Sequence, residues 1–298
     1  MQDLIIIGGG VAGMGAAIYA KRFGMNVTVF AELLGGTITL THLVENYPGF
    51  KSLSGLELAN NIIDHAKSVG TEIINQQITE VTKNNDIFNL TAANGEKYEA
   101  KSIIFATGTK HKKLGVPGEA EFTNKGVSYC ATCDGPFFKN KVVGIVGGSD
   151  SAVKESLLLA EHCKHVYIIY RGEQVRAEPI NMDRMKSKNN IEVIKGSNVV
   201  EILGDNIINK VKLDTGKEID LEGLFIEIGG IPRTKIAKDI GVELNEKSEI
   251  IIDKESRTNV PGAYAAGDCC NTAWKQAIVG VAEGTFAAYS AFSDLKSS

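Results

Sequence analysis

Two cysteines three positions apart, Cys130 and Cys133, are the residues of this sequence best suited to chemistry. Two thiols at this spacing can close into a small disulfide and reopen, and neighbouring charges decide which sulfur becomes the reactive thiolate. The same spacing occurs in zinc sites, which need further ligands. The sequence has no second CxxC motif, and none of its five histidines lies at finger-like spacing from the pair. We therefore interpret the pair as redox-active.

Two stretches, residues 4–32 and 143–171, repeat one pattern at a constant offset of 139 positions. Each reads as an apolar strand, a glycine-rich turn, a helix and a second strand. The turns carry Gly8, Gly10 and Gly13 in the first copy, and Gly147 and Ser149 in the second. A glycine-rich turn in this context points backbone N–H groups and the positive end of a helix at a pyrophosphate. The repeat therefore predicts two dinucleotide-binding units.

Length and composition restrict the class of protein. The chain has 298 residues, enough for two domains, and a net charge of −4, which argues against nucleic acid as the main partner. No apolar stretch approaches the roughly 20 residues that a membrane span needs. Five cysteines with one CxxC do not resemble a disulfide-stapled secreted scaffold, and the sequence opens on an apolar strand without a signal segment. We expect a cytoplasmic protein without a membrane partner.

The rest of the chain fits a first unit that is interrupted and later resumed. Residues 70–101 mix apolar and polar positions at short spacing with Asn-Gly turns, which predicts an antiparallel β insertion. A basic linker follows at residues 109–113. Residues 229–232 are interpreted as the second segment in which the chain passes between the two units. Residues 260–268 return a short strand to the first unit, and 276–295 form a predicted closing helix.

With these features placed, the chain resembles the low-molecular-weight thioredoxin reductases over almost its whole length. The matching segments are residues 8–13, 45–49, 106–108, 130–135, 150–152, 266–268 and 276–277. The run Cys-Ala-Thr-Cys-Asp, just before the second repeat, is the most specific of them. The resemblance implies an α/β fold class with two Rossmann-like three-layer nucleotide-binding domains. It also implies FAD as cofactor, a homodimer, and thioredoxin as the oxidised substrate.

The resemblance further implies an FAD domain split in sequence around an inserted NAD(P)H-type domain. The boundaries are 1–112 for the first part of the FAD-binding domain, 113–230 for the NAD(P)H-type domain with the cysteine pair, and 231–298 for the second part. The family rotates one domain against the other so that the pair can meet flavin and then thioredoxin. The linkers at 108–117 and 229–241 contain Gly and Pro and suit hinges.

The family's FAD residues fall on matching positions of this chain. Those implied to face the pyrophosphate are Gly8, Gly10, Ala12 and Gly13. Those implied to line the flavin and its ribityl chain are Gly36, Asn46, Thr107, Gly108, Asp268, Gln276 and Ala277. Glu32 lies about where an acid would bind the adenosine ribose, although one position later than usual. Asp268 and Gln276 also fit plain structural roles, as a turn cap and an exposed helix residue.

The resemblance also assigns roles around the cysteine pair. Cys133 is the sulfur that the family places nearest the flavin, and Cys130 becomes the thiolate that attacks thioredoxin. Asp134 is the candidate proton donor or acceptor, with a helix cap or turn carboxylate as the alternative. The remaining cysteines, predicted to be buried and without a redox role, are Cys163, Cys269 and Cys270.

The second glycine-rich turn departs from the family pattern. Ser149 replaces the glycine that lets the backbone approach a pyrophosphate, so its side chain should crowd the phosphate or donate to it. The family's NADPH segment reads His-Arg-Arg-x-x-x-Arg, whereas this chain keeps Arg171 and Arg176 but has Gly172 between them. Arg171 occupies the position in the second repeat that Glu32 occupies in the first. A cation in place of an acid is expected if the site binds a 2′-phosphate. One lost guanidinium contact costs about 1.5–3 kcal/mol, or about tenfold or more in affinity.

We therefore predict ferredoxin rather than NADPH as the electron donor, as in family members that have lost both motifs. Conventional NADPH dependence is the alternative. A small acidic iron–sulfur protein would need a basic surface near the flavin, and an ordinary solvated basic face is the competing interpretation. The candidate basic residues are Lys110, Lys112, Lys113, Arg233, Lys235, Lys238 and Lys275.

Three other functions share part of this pattern. A flavin ferredoxin–NADP reductase lacks the cysteine pair, so Cys130 and Cys133 argue against it. The disulfide reductase component of a peroxidase system shares the pair but usually carries extra N-terminal thioredoxin-like domains, which we do not expect here. A flavin-binding sensor that keeps the pair without turnover belongs to a different class, and a Cys133→Ser variant distinguishes it from an enzyme.

Overall fold

A computed structural model describes residues 1–297, and the chain divides into two compact units. The first unit consists of Met1–Lys110 and Ile231–Ser298, and the second of His111–Gly230. The chain therefore leaves its first unit once and returns to it once. The two crossing segments, β7 (Thr109–His111) and β16 (Gly230–Pro232), pair with each other as short strands.

A seven-stranded sheet forms the centre of the first unit. Its strands, in spatial order, are β3 (Glu72–Ile74), β2 (Val27–Phe30), β1 (Gln2–Ile7), β6 (Lys97–Phe105), β5 (Ile87–Ala92) and β4 (Ile78–Asn84), with β17 (Ala263–Ala265) also paired to β6. Strands β1, β2, β3, β6 and β17 run parallel to one another. Strands β4 and β5 are antiparallel, which confirms the predicted insertion. Four consecutive buried residues at the end of β1 are typical of a parallel strand covered on both faces.

The helices of the first unit cover this sheet. They are α1 (Val11–Arg22), α2 (Gly55–Ser68), α7 (Lys235–Asp239) and α8 (Ala277–Ser297), with a 3₁₀ turn at Gly36–Leu40. Helix α2 starts at a capping box, in which Ser54 and Glu57 satisfy each other's backbone N–H groups. Helix α8 crosses close to α1, because a side-chain carbon at Gly284 would lie 2.1 Å from the carbonyl oxygen of Ala12. This packing holds the start of α1, where the first glycine-rich turn ends.

The second unit contains a five-stranded parallel sheet and a small antiparallel one. The parallel strands, in spatial order, are β11 (Ile191–Lys195), β10 (His165–Tyr170), β9 (Val142–Val146), β15 (Gly223–Ile226) and β8 (Val127–Ser128). The antiparallel strands are β12 (Val199–Gly204), β13 (Ile208–Leu213) and β14 (Glu218–Asp220). The helices are α3 (Glu119–Phe122), α4 (Ala131–Asp134), α5 (Asp150–Ala160) and α6 (Pro179–Lys186), with a 3₁₀ turn at Gly135–Phe138.

The order of the parallel strands places a topological switch point between β9 and β15. From β9 the chain passes through α5 to β10 on one side, whereas β15 and β8 lie on the other side. Ligands of such sheets bind in the crevice at the carboxyl ends of the strands that flank the switch. The predicted α/β fold class is confirmed, and the sheet of each unit contains adjacent parallel strands. Within residues 1–297, no helix has the length and hydropathy needed to span a bilayer.

Candidate active site

The candidate redox centre is a closed disulfide between Cys130 and Cys133, with a Cα–Cα distance of 5.4 Å. Cys130 is the N-cap of α4, and its sulfur accepts a hydrogen bond from the N–H of Cys133 at 3.1 Å. Cys133 is exposed, whereas Cys130 is partly buried. The short helix therefore fixes the geometry of the pair and leaves one sulfur open to a reaction partner.

Asp134 is joined to the cysteine pair through a serine. The hydroxyl of Ser128 donates to Asp134 Oδ2 at 2.6 Å, and the N–H of Cys130 donates to the Ser128 oxygen at 3.1 Å. This relay holds the carboxylate beside the pair rather than leaving it in solvent. The sequence identified Asp134 but not Ser128, because a hydroxyl at the end of a two-residue strand has no distinctive local pattern.

The first glycine-rich turn keeps open the space that a pyrophosphate requires. Side-chain carbons at Gly8 and Gly13 would lie 2.0 and 1.9 Å from backbone oxygens, so packing alone explains those two glycines. Gly10 differs, because a carbon there meets nothing closer than 3.8 Å and its φ of −77° suits any residue. Neither packing nor backbone conformation requires this glycine. A glycine at this position is instead explained by a ligand that approaches the helix N-terminus closely.

Several predicted cofactor residues meet around this turn, although they are far apart in sequence. The Asn46 side-chain amide donates to Gln276 Oε1 at 3.1 Å, across 230 positions. Gly36 packs against Gly10, since a side-chain carbon at Gly36 would lie 2.9 Å from the Gly10 Cα atom. Ala277 is the first residue of α8, next to Gln276. The absence of a side chain at Gly10 leaves open space beside Gly36 that a dinucleotide such as FAD would need.

Thr107, Gly108 and Asp268 lie at the carboxyl ends of β6 and β17. The Thr107 hydroxyl donates to the carbonyl of Arg233 at 2.7 Å, and the Gly108 carbonyl accepts from the Arg233 N–H at 3.0 Å. Burial raises the pKa of Asp268, while the charge of Lys275 opposes this rise. The Lys275 ammonium also donates to the Asp268 carbonyl at 2.8 Å. A half-buried acid held in this way can bind a hydroxyl of a ribityl chain.

Glu32 has a partner within the protein that the sequence did not predict. Its Oε2 accepts from the Arg233 guanidinium at 2.5 Å, across 201 positions. Both side chains are about half exposed, so the ion pair is screened by solvent and weak in isolation. The pair orients the Glu32 carboxylate at the end of β2, where an acid would bind a ribose.

The second glycine-rich turn is covered by a larger residue than the first. A side-chain carbon at Gly148 would lie 2.4–2.6 Å from the ring of Tyr170, whereas the methyl of Ala31 takes the equivalent place in the first turn. Ser149 is exposed, and its hydroxyl does not cap α5. The Arg176 N–H donates to the Gly148 carbonyl at 2.7 Å and folds the next loop onto the turn. Both observations indicate a turn less open to a pyrophosphate.

The remaining predicted residues fall into three groups. Arg171 and Arg176 are exposed and form no ion pair among residues 1–297. Of the candidate basic residues, Arg233 pairs with Glu32 and Lys275 with Glu249, so these two are engaged internally. The other five, Lys110, Lys112, Lys113, Lys235 and Lys238, are exposed. The cysteines outside the pair, Cys163, Cys269 and Cys270, are buried as predicted.

The fold and the site place the chain in a known family. The family model described as pyridine nucleotide-disulphide oxidoreductase matches residues 2–284, so the chain belongs to that family. This membership confirms the predicted disulfide oxidoreductase class, the two Rossmann-like nucleotide-binding domains and FAD as cofactor.

Two curated relatives are similar over most of the chain. An NADH dehydrogenase of Bacillus subtilis is 37% identical over 97% of the chain. A component of the alkyl hydroperoxide reductase of Staphylococcus aureus is 36% identical over the same share. The chain spans 58% of the length of each.

Solved structures match the chain over its whole length. The thioredoxin reductase of Lactococcus lactis is 35% identical, with a TM-score of 0.97 and full coverage of both chains. That of T. acidophilum is 39% identical, with a TM-score of 0.94 over 99% of each chain. A ferredoxin-flavin thioredoxin reductase of Clostridium acetobutylicum is 32% identical, with a TM-score of 0.56 over 100% of this chain and 99% of that one. These likenesses confirm the predicted resemblance to low-molecular-weight thioredoxin reductases.

Gly10→Ala tests the first turn. The variant should fold normally, because its backbone angles suit alanine and the added methyl clashes with nothing in the protein. It should bind FAD at least about tenfold more weakly, since the methyl crowds the pyrophosphate and weakens its hydrogen bonds. Fluorescence titration of the apoprotein measures the affinity. Ser149→Ala, at the equivalent position of the second turn, is the control, and wild-type affinity in Gly10→Ala would contradict the assignment.

Proposed function

We propose that the protein is an FAD-dependent thioredoxin reductase that passes electrons through the Cys130–Cys133 disulfide to oxidised thioredoxin. One observation carries the proposal. A closed CxxC disulfide, with an acid held beside it, occurs in a chain whose first glycine-rich turn is open to a dinucleotide. The thioredoxin reductases with similar structures support it.

In this proposal the split unit, residues 1–112 and 231–298, binds FAD, and residues 113–230 carry the disulfide. The residues that would hold FAD are Gly8, Gly10, Ala12, Gly13, Glu32, Gly36, Asn46, Thr107, Gly108, Asp268, Gln276 and Ala277. FAD, when bound, supplies pairs of electrons that can reduce a disulfide. We further propose a homodimer that works in the cytoplasm, which sedimentation of the purified protein and localisation in cells would test.

The residues of the pair then act in order. Two electrons and one proton break the bond between the sulfurs and leave one thiolate and one thiol. The Cys130 thiolate attacks a sulfur of the thioredoxin disulfide, so that a mixed disulfide forms and one thioredoxin thiolate departs. The sulfur of Cys133 attacks that of Cys130, which closes the protein disulfide again and releases the second thioredoxin thiolate. Asp134 can exchange a proton with the sulfur that leaves or attacks.

Asp134→Asn should slow thioredoxin reduction by about 10²-fold, because the amide keeps the shape of the carboxylate but cannot exchange a proton. Steady-state turnover with thioredoxin measures this. Ser128→Ala should show a smaller loss, since it only loosens the Asp134 carboxylate. If Asp134→Asn turns over within about twofold of the wild type, the carboxylate serves only as a turn cap.

We propose ferredoxin as the electron donor. The support comes from the second turn, where Tyr170 covers Gly148 and Ser149 replaces a glycine. A ferredoxin-flavin thioredoxin reductase is among the similar structures. The alternative donor is NADPH, and the exposed guanidinium groups of Arg171 and Arg176 favour it. A phosphate near that loop would meet two exposed cations.

A single-turnover experiment tests the proposed function without a choice of donor. The FAD-loaded protein is reduced anaerobically with dithionite, freed of excess reductant, and mixed with oxidised thioredoxin. We expect about two thioredoxin disulfides to be reduced per chain within seconds, because the fully reduced chain holds two electrons on FAD and two on the cysteine pair. Persistence of oxidised thioredoxin, with the protein still reduced, would favour the flavin-binding sensor.

A further inference from the structure

Two partly buried glutamates, Glu155 and Glu227, lie close together in the second unit. Glu155 lies in α5, and Glu227 directly follows β15 at the switch point of the sheet. Glu155 Oε2 and Glu227 Oε1 are both buried and accept no N–H or O–H from any residue in the described part of the chain. Two carboxyl oxygens in this situation can satisfy each other only through a shared proton.

The backbone also holds Glu227 in place. Its N–H donates to the Val146 carbonyl at 2.8 Å, which continues the pairing of β15 with β9. Gly147 packs on the other side, because a side-chain carbon there would lie 2.2 Å from the Glu227 carbonyl oxygen. These contacts fix the backbone from which the Glu227 side chain extends.

This carboxyl pair is connected to the disulfide. The backbone N–H of Ala131, the first residue of α4, lowers the pKa of Glu155 and so lies near its carboxyl group. That N–H belongs to the peptide group that joins Ala131 to Cys130. The α4 and α5 helices also pack against each other. A charge on the carboxyl pair therefore acts on the peptide next to the Cys130 sulfur.

The other titratable groups around α5 are engaged elsewhere or exposed. On α5 itself, Lys154 forms an ion pair with Asp150 at 2.8 Å. The groups on the elements packed against α5 are Asp134 on α4, Asp183, Arg184 and Lys186 on α6, His165, Tyr167 and Tyr170 on β10, and Glu192 and Lys195 on β11. None of these groups is a cause of the shift in the pKa of Glu155, whereas Glu227 raises that pKa.

We propose that Glu155 and Glu227 are positioning residues that hold one shared proton and take up a second when the Cys130–Cys133 disulfide is reduced. This inference rests on the proposed dithiol chemistry. Two electrons break the sulfur–sulfur bond, one sulfur takes a proton and the other becomes a thiolate. The second proton goes to the carboxyl pair instead of the thiolate. The protein thereby gains two protons for two electrons while one sulfur stays reactive.

The titration of the pair agrees with this role. Burial and the charge of Glu227 raise the pKa of Glu155 to about 9, and burial raises the pKa of Glu227 to about 7. Near neutral pH the pair therefore holds one proton and is close to binding another. A thiolate adds negative charge nearby, which raises the affinity of the pair for protons further.

The pH dependence of the disulfide's midpoint potential tests the inference. The FAD-loaded protein is equilibrated with dithiothreitol redox buffers between pH 7 and 9, and free thiols are counted by alkylation and mass spectrometry. One coupled proton changes a two-electron potential by about 30 mV per pH unit. We expect about 60 mV per pH unit for the wild type and about 30 mV for Glu227→Gln, which keeps the shape but not the proton.

Two further variants sharpen the result. Glu155→Gln should lose the same proton, while Glu161→Gln, exposed just beyond α5, should keep the wild-type slope. If Glu227→Gln does not fold, indicator dyes can follow protons on reduction of the wild type and of Glu155→Gln. With dithiothreitol as the reductant, which gives up two protons as it is oxidised, the wild type should take up both protons and the variant should leave one in solution. Equal slopes or equal proton release in the wild type and the variants would overturn the inference.

This experiment separates the inference from the proposed function, because it needs neither thioredoxin nor an electron donor. Suppose that the protein does not reduce thioredoxin but Glu227→Gln lowers the pH slope of the midpoint potential as expected. This result would support the proposed role of the carboxyl pair and reject the proposed function. Thioredoxin reduction with an unaltered slope in Glu227→Gln would do the opposite.

Discussion

Cys133→Ser should lower the rate of thioredoxin reduction by at least about 10³-fold, while FAD binding stays unchanged. The disulfide cannot form without this sulfur, so electrons have no covalent route to thioredoxin. The variant should also trap thioredoxin. The Cys130 thiolate can still attack the thioredoxin disulfide, but no neighbouring thiol remains to release it. Turnover and non-reducing mass spectrometry measure the two effects.

The matched control is Cys163→Ala, which removes a buried cysteine from the same unit. It should turn over at nearly the wild-type rate and trap nothing. Cys130→Ser should also be inactive but should not trap thioredoxin, because Cys130 is the proposed attacking sulfur. An unchanged rate in Cys133→Ser would exclude the dithiol mechanism. A trapped complex with Cys130→Ser instead would reverse the assignment of the two sulfurs.

The second prediction concerns the electron donor. NADPH should bleach the visible absorbance of the FAD-loaded protein at least about 100-fold more slowly than reduced ferredoxin at equal concentration. This factor combines one lost guanidinium contact with a crowded pyrophosphate, each worth about tenfold. Anaerobic stopped-flow absorbance measures both rates. Rapid bleaching by micromolar NADPH would favour the conventional NADPH-dependent enzyme.

A gain-of-function variant gives this prediction a positive control. Gly172→Arg alone would collide with Tyr170, since a side-chain carbon at Gly172 would lie 2.6 Å from that ring. We therefore combine it with Tyr170→His and Ser149→Gly, which uncover the turn. The triple variant should bleach with NADPH at least about tenfold faster than the wild type. No gain, together with fast ferredoxin reduction, would mean that features outside this turn exclude NADPH.

Local patterns in the sequence predicted much of the fold. The first repeat appears as β1, α1 and β2, and the second as β9, α5 and β10, because buried parallel strands and glycine-rich turns leave strong local signals. The antiparallel strands in residues 70–101 were predicted from alternation and turn residues in the same way. The closing helix starts at Ala277, one position from the prediction.

Contacts between distant residues were harder to predict. Arg233 binds Glu32 across 201 positions, and no local pattern indicates such a pair. Tyr170 occupies the position in the second repeat that Ala31 occupies in the first. Only the structure shows that its ring consequently lies over Gly148. The pairing of Asn46 with Gln276 was implied only through the family resemblance.

The partly buried pair Glu155 and Glu227 illustrates the same limit. Glu155 looks like one more charged residue of a helix, and Glu227 follows an apolar strand without any motif. Only the folded structure shows that one carboxyl oxygen of each lies buried without a donor from the described residues. Burial, which depends on the whole fold, is what changes their chemistry.

The central claim is that a reversible sulfur–sulfur bond stores electrons delivered to this protein. An anaerobic dithionite titration of the FAD-loaded protein tests it most directly, with absorbance and free thiols followed together. We predict uptake of about four electrons per chain, two by FAD and two by the Cys130–Cys133 pair, with two thiols appearing. Uptake of about two electrons, with the disulfide still closed after FAD is fully reduced, would contradict the claim.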